Sequence, residues 1–343
     1  MLSTSISRAA DLYQGELVDP LSRILPWPGA FVDIEFPIKK TRRAVRVNIR
    51  SSAGPEMTTG SASLGRMFCV HGLGGSSTNF TELATVLAGH VSSDSIDLLG
   101  YGVSDPSPTG NYSIAIQAAC VIAAIEASGP TPVHLVGNSM GGLISILVAS
   151  QRPDLVKTLT LISPAMPTYR FESGIDPRLL LLGVPGLRGI LERRLALGDP
   201  DDAALMQVQL CFADISLAPD YRLAQTAREV ELRQQYPWSM AAFSGSVRAI
   251  GRTVIQLGSA NPWRLARNLR MPTLVVWGDK DQLVPFRHGA QLAEVVPQAR
   301  LLLLEGVGHT PQLEAPEVTA RAVLNLLSTH QDALGGGART TDA

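Results

Sequence analysis

The apolar positions along this chain fall into two rhythms. Phe31-Val32-Asp33-Ile34-Glu35-Phe36 and Ala44-Val45-Arg46-Val47-Asn48-Ile49 alternate apolar and polar residues, the period of a half-buried strand. They predict the antiparallel edge of a larger mixed sheet, followed by a Ser/Gly/Thr-rich loop over 51–65. From Arg66 onward the apolar runs are short, continuous and rich in branched residues: 67–70, 133–136, 158–162, 272–278 and 299–305, with a further strand ending at Ser95-Ile96-Asp97. Such runs predict strands buried on both faces. Helical stretches separate them at about 79–87, 113–127 and 143–149, and a last one runs from about 316 to 327. Gly129-Pro130 stops the second of these. Strands alternating with helices predict a mostly parallel sheet with helices on both faces.

The alternation breaks at Ser163-Pro164. Residues 165–260 carry only a helical pattern, with starts near Asp176-Pro177, Pro200-Asp201 and Pro219-Asp220. The strand rhythm then resumes. This predicts a helical cap, 165–260, inserted into an α/β core made of 31–164 and 261–331. Residues 1–30 form an N-terminal extension with a short helix, and 332–343, with Gly335-Gly336-Gly337, a disordered tail. There is no internal repeat.

Composition narrows the classes. The 343 residues fit one α/β domain with an insertion, and 45% hydrophobic content supplies its core. With 29 basic against 30 acidic residues and no long basic run, no nucleic-acid partner is expected. The three cysteines, Cys69, Cys120 and Cys211, are odd in number and unclustered. That argues against a disulfide framework or a zinc site, and for buried thiols. The N-terminus lacks a signal-peptide pattern and no apolar run reaches membrane-spanning length. The expectation is a soluble, cytoplasmic protein with room for weak membrane contact, and with neither cofactor nor metal.

The chemistry centres on Gly137-Asn138-Ser139-Met140-Gly141. This G-x-S-x-G segment joins a predicted strand to a predicted helix, where a serine is held on a tight turn with its hydroxyl exposed. Serine needs a base, and the base needs a carboxylate to fix its tautomer. His309 follows the last strand in Glu305-Gly306-Val307-Gly308-His309, at the sheet edge where sites form in such folds. Asp279 and Asp281 both follow the strand ending at Trp277-Gly278. Asp281 is taken as the triad acid and Asp279 as a turn former. The oxyanion donors are expected to be the backbone N–H groups of Met140 and Leu73, in a loop whose glycines allow close approach. His71 is read as bracing that loop, against a role as second base. The loop lacks the Gly-Lys-Ser/Thr ending of a phosphate-binding loop.

Four segments in order, His71-Gly72-Leu73-Gly74-Gly75, Asp97-Leu98-Leu99-Gly100-Tyr101-Gly102-Val103-Ser104-Asp105, Gly137-Asn138-Ser139-Met140-Gly141-Gly142 and the Asp281 and His309 loops, resemble the α/β-hydrolase superfamily. Within it they look like the cap-bearing serine hydrolases of esterase and lipase type. The likeness spans about residues 30–330, leaving the first 30 outside it. It implies an α/β-hydrolase fold, the Ser139–Asp281–His309 triad, and loop-bracing roles for Asp97 and Asp105. Dehalogenases and epoxide hydrolases of this fold use an aspartate nucleophile, and position 139 is serine. The expected function is cleavage of a small, apolar carboxylic ester through an acyl-enzyme. One alternative is a carbon–carbon bond hydrolase of ring-fission products, which shares the elbow. The loop after His71 lacks the Gly-x-Gly-Pro-Gly of that group, and His309-Thr310-Pro311 is closer to esterases. A third possibility, from another class, is a non-catalytic ligand-binding scaffold.

Overall fold

The computed structural model describes residues 9–17, 26–38, 40–52, 64–168 and 198–336, with 332–336 described by backbone alone. Eight strands form one sheet: β1 (Gly29–Ile38), β2 (Thr41–Ser51), β3 (Arg66–Val70), β4 (Ser92–Ile96), β5 (Val133–Asn138), β6 (Val156–Ile162), β7 (Thr273–Gly278) and β8 (Ala299–Leu304). Their order is β1-β2-β4-β3-β5-β6-β7-β8. The first two pair antiparallel with each other, and β2 runs antiparallel to β4; every later pairing is parallel. β1 buries Ile34, Phe36 and Ile38 on one face, whereas β3, β5 and β7 are buried throughout. Alternating patterns therefore made the edge and continuous ones the centre.

Helices α1 (Thr81–Leu87), α2 (Ile114–Ser128) and α3 (Met140–Gln151) follow β3, β4 and β5. One core layer joins Cys120, Val121 and Ile125 of α2 to Ile144 and Val148 of α3 and to Phe36 and Val47 of the edge. The opposite layer joins Leu83 and Leu87 of α1 to Val136 and Val276 and to Leu324 and Leu327. The sheet is thus covered on both faces.

Between β6 and β7 the described residues hold three longer helices and no strand: α4 (Pro200–Cys211), α5 (Asp220–Gln235) and α6 (Ser239–Thr253), then the short α7 (Pro262–Arg267). Asp199 starts α4 by accepting the N–H groups of Asp201 and Asp202, with Pro200 in the first turn. The helix start expected at Asp176-Pro177 lies outside the described residues, as does most of the 51–65 loop. After β7 come α8 (Arg287–Val295), α9 (Pro311–Glu314) and α10 (Pro316–Gly336). α10 continues past residue 331 to Gly336, so the start of the expected tail is helical; 337–343 lie outside the described residues.

The described part of the N-terminal extension holds no helix. Residues 9–17 instead run along the far edge of the sheet: Ala10 N–H donates to Leu301 O (2.9 Å) and Tyr13 N–H to Arg321 O (3.0 Å). Arg321 returns two hydrogen bonds, to Tyr13 O and Gly15 O. No helix among the described residues is long and apolar enough to cross a membrane.

Candidate active site

Ser139 is the single residue between β5 and α3, with φ 54° and ψ −119°. A non-glycine residue reaches that region only at a cost of about 1–3 kcal/mol. Its backbone is held from both sides. Ser139 N–H donates to Ile162 O (2.9 Å), and its carbonyl accepts from Leu143 N (3.2 Å) and Ala165 N (2.9 Å). Gly141 is needed because a Cβ there would strike the carbonyl of Val70. Ser139 gives α3 no side-chain cap, so the N–H groups of the first turn, Met140 first, donate no bond to the serine side chain.

The loop after β3 lies against this elbow. A Cβ on Gly72 would come within 3.0 Å of Ser139 Cβ. Gly75 N–H donates to Gly72 O (3.2 Å) and closes a turn with Gly74 at φ 72°. That turn holds Leu73, whose chain neighbour Gly72 lies against the serine. His71 spends both ring nitrogens on the loop frame: Nδ1–H donates to Gly72 O (2.7 Å) and Nε2 accepts Leu98 N–H (3.1 Å). Burial lowers its pKa and outweighs the bond to Gly72, which favours the charged ring, so the ring stays neutral and its one lone pair is taken by Leu98 N–H. Asp97 accepts from Ser77 N, Asn48 Nδ2 and Val103 N, and Asp105 from Arg46 N. Both tie loops to the edge strands.

The loops after β7 and β8 are zipped together by backbone. Asp279 N–H donates to Leu304 O and Lys280 N–H to Val307 O, both at 2.9 Å. Asp281 Oδ2 accepts His309 Nδ1–H at 2.8 Å, and its Oδ1 accepts the N–H groups of Leu283 (2.8 Å) and Val284 (2.9 Å). Burial alone would raise this carboxyl, but the His309 ring and the two N–H groups more than offset it and hold its pKa below the ordinary value. Asp279 points elsewhere, accepting Gly306 N–H at 2.7 Å. The geometry thus joins His309 to Asp281. It joins the His309 loop to the elbow through Asn138 Nδ2, which donates to His309 O (3.2 Å). Ser139 Oγ donates no hydrogen bond to a described residue.

Several groups that hold this arrangement have no sequence signature. Glu314 reaches back into the histidine loop: Oε2 accepts Gly308 N–H and Ala213 N–H, both at 2.8 Å, and Oε1 accepts Thr310 N–H (3.2 Å). Burial raises its pKa despite these donors. His309 N–H also donates to Cys211 O at the end of α4 (2.7 Å). One carboxylate and one carbonyl therefore fasten the helical insertion to the histidine. On the other side, α5 grips the loop after β3 with a buried polar stripe. Arg222 pairs with Glu82 (Nε–Oε1 2.8 Å), Glu229 accepts from the Thr78 hydroxyl, and Arg233 donates to Gly74 O (2.8 Å). The Cys211 thiol is pushed up to about 12, chiefly by burial, which removes it as a nucleophile. Among the described residues no cluster of His, Cys, Asp and Glu could hold a metal ion.

Comparison with known proteins bears on the family. Residues 65–316 match the family described as alpha/beta hydrolase fold. Lipase 3 of Moraxella sp. (strain TA144) is 30% identical over 263 residues, 74% of each protein. The 2-hydroxymuconate semialdehyde hydrolase of Pseudomonas putida is 28% identical over 232 residues, 68% of this chain and 75% of that one. Among solved structures, a putative lipase from Acinetobacter baumannii AYE superposes with a TM-score of 0.65 at 21% identity, covering 88% of this chain and 93% of the other.

Proposed function

The chain belongs to the alpha/beta hydrolase fold family and is a hydrolase, and from that premise we propose that it cleaves a carboxylic ester through a Ser139–His309–Asp281 triad. The observation that carries this reading is the 2.8 Å bond between Asp281 and His309 Nδ1. It fixes the proton on Nδ1 and leaves Nε2 free to accept one. Ser139 Oγ attacks the ester carbonyl as His309 Nε2 takes its proton. The carbonyl oxygen becomes an oxyanion held by the N–H groups of Met140 and Leu73. His309 then hands the proton to the departing alcohol. Water, deprotonated by the same nitrogen, attacks the acyl-enzyme and releases the acid and the free serine. Asp281 stays ionised and stabilises the imidazolium. The segment 165–260 acts as a cap that shapes the acyl pocket and excludes water, in keeping with the ties from α4 and α5 to both catalytic loops.

The test is hydrolysis of p-nitrophenyl esters of increasing chain length. Wild type turns over at least one, and Ser139→Ala loses that activity; equal rates in the two proteins would reject the mechanism. Likeness to a 2-hydroxymuconate semialdehyde hydrolase supports one further reading, hydrolysis of a carbon–carbon bond. Turnover of a vinylogous 1,5-diketone without turnover of any ester would favour it.

A further inference from the structure

The end of α6 presents an apolar tip to solvent. In Val254-Ile255-Gln256-Leu257 the side chains of Ile255 and Leu257 are 77% and 80% exposed. Large aliphatic groups left open close together are a mark of contact surfaces. Along this stretch of chain the charge is one-sided. Between Leu232 and Gly278 there is no aspartate or glutamate, but there are six arginines, in a chain whose net charge is −1. Arg252 lies in the last turn of α6 and Arg264 and Arg267 on α7; all three are exposed and form no ion pair with a described residue. The two pieces are folded side by side, because Asn261 Nδ2 donates to Gln256 O (2.9 Å) while its Oδ1 accepts Trp263 N–H and Arg264 N–H. Helix α8, packed beside α7, adds one acid, Glu294, and one arginine, Arg287, which leaves the balance positive.

We propose that this corner is a contact for an anionic lipid surface. Ile255 and Leu257 enter the boundary between headgroups and acyl chains, and Arg252, Arg264 and Arg267 pair with lipid phosphates. Two features favour a bilayer over a protein. A stable protein interface needs about 1,200 Å² of complementary surface, whereas a bilayer accepts single protruding side chains ringed by cations. Arg252, Arg264 and Arg267, which form no ion pair with a described residue, favour an anionic surface. The corner also borders the way into the insertion. Trp263 Nε1 donates to Pro167 O (2.9 Å), two residues beyond the Ala165 whose N–H is held by Ser139 O. A lipid surface docked here lies beside the chain that leaves β6 and passes Ser139.

The experiment is co-sedimentation of the full-length protein with vesicles of phosphatidylcholine alone or mixed with phosphatidylglycerol. Binding is expected to the anionic vesicles, about fivefold weaker for each arginine replaced in Arg252→Gln and Arg264→Gln. It should fall about tenfold or more in the double variant Ile255→Ser/Leu257→Ser. Unchanged thermal midpoints in the variants establish that they are folded, independently of any catalysis. The proposal is overturned if the anionic vesicles bring down no protein, or if the double variant binds as well as wild type. It is equally overturned if the double variant instead dissociates a dimer of the free protein, which would assign the tip to a second copy of the chain.

Discussion

Replacing Asp281 by asparagine separates holding the histidine from orienting its proton. In the site, Oδ2 takes the Nδ1–H of His309 at 2.8 Å while Oδ1 takes the N–H groups of Leu283 and Val284 at 2.8 and 2.9 Å. An asparagine has one carbonyl for these three donors. If the carbonyl turns to His309, the NH2 faces two buried N–H groups, at a cost of about 1–3 kcal/mol for each unpaired donor. If it stays with Leu283 and Val284, the NH2 faces Nδ1, which must become the acceptor. The second arrangement leaves every group paired, so the fold survives. The proton then sits on Nε2, the atom that receives one from Ser139 in the proposed mechanism. A wrong tautomer of this kind costs about 10,000-fold in kcat, or about 5.5 kcal/mol at about 1.4 kcal/mol per decade. Asp279→Asn is the control. Its carbonyl still accepts Gly306 N–H, and what it loses is a pair with the exposed Lys280 at 3.2 Å, worth about 0–1 kcal/mol. Steady-state rates on a p-nitrophenyl ester, with thermal midpoints for each variant, give the comparison. The reasoning fails if Asp281→Asn keeps more than about a tenth of the wild-type kcat with its fold intact, or if Asp279→Asn loses more.

Arg222→Ala should destabilise the protein by about 3–5 kcal/mol, since it leaves the buried Glu82 without its partner. In urea unfolding, the double variant Glu82→Leu/Arg222→Met should recover most of that loss. Glu314→Ala removes the acceptor of three backbone N–H groups and should lower both stability, by about 3 kcal/mol, and kcat; a kcat equal to wild type would mean that the histidine loop holds its place unaided. Acid should destabilise the fold well before the carboxylates protonate. Burial lowers the pKa of His134 and of His288 to about 4, while an unfolded histidine titrates near 6.5. The unfolded chain therefore binds more protons between those values. Stability is full above about pH 6.5 and falls towards pH 4, by up to about 3 kcal/mol per histidine. Thermal midpoints from pH 8 to 4 read this directly, and His134→Gln should flatten the curve.

The parts of this protein that were legible in the sequence are those whose structure is decided within a few neighbours. The elbow is a strand, a strained serine and a helix start in one run of chain, with Gly141 there because Val70 O leaves no room for a Cβ. The acid and histidine loops each follow a buried strand at the same edge. Glu314 and the α5 stripe were not legible, for a physical reason. Arg222, Thr226, Glu229 and Arg233 recur at helical spacing, and a polar stripe of that period is the ordinary mark of a solvent face. Here the stripe faces inward. The partners that make its burial affordable, Glu82, Thr78 and Gly74 O, lie about 140 to 160 residues earlier in the chain. No local pattern can reveal a pairing whose halves meet only after the sheet has closed between them. The same contacts carry a mechanical consequence. Among its described contacts with the core, the helical insertion reaches the Leu73 loop by Arg233 donating to Gly74 O and the His309 loop by Cys211 O accepting His309 N–H. A shift of the insertion therefore moves the Leu73 and His309 loops together, the proposed oxyanion donor and the proposed base. Substitutions in the stripe should lower kcat, whereas those confined to the acyl pocket should act on KM.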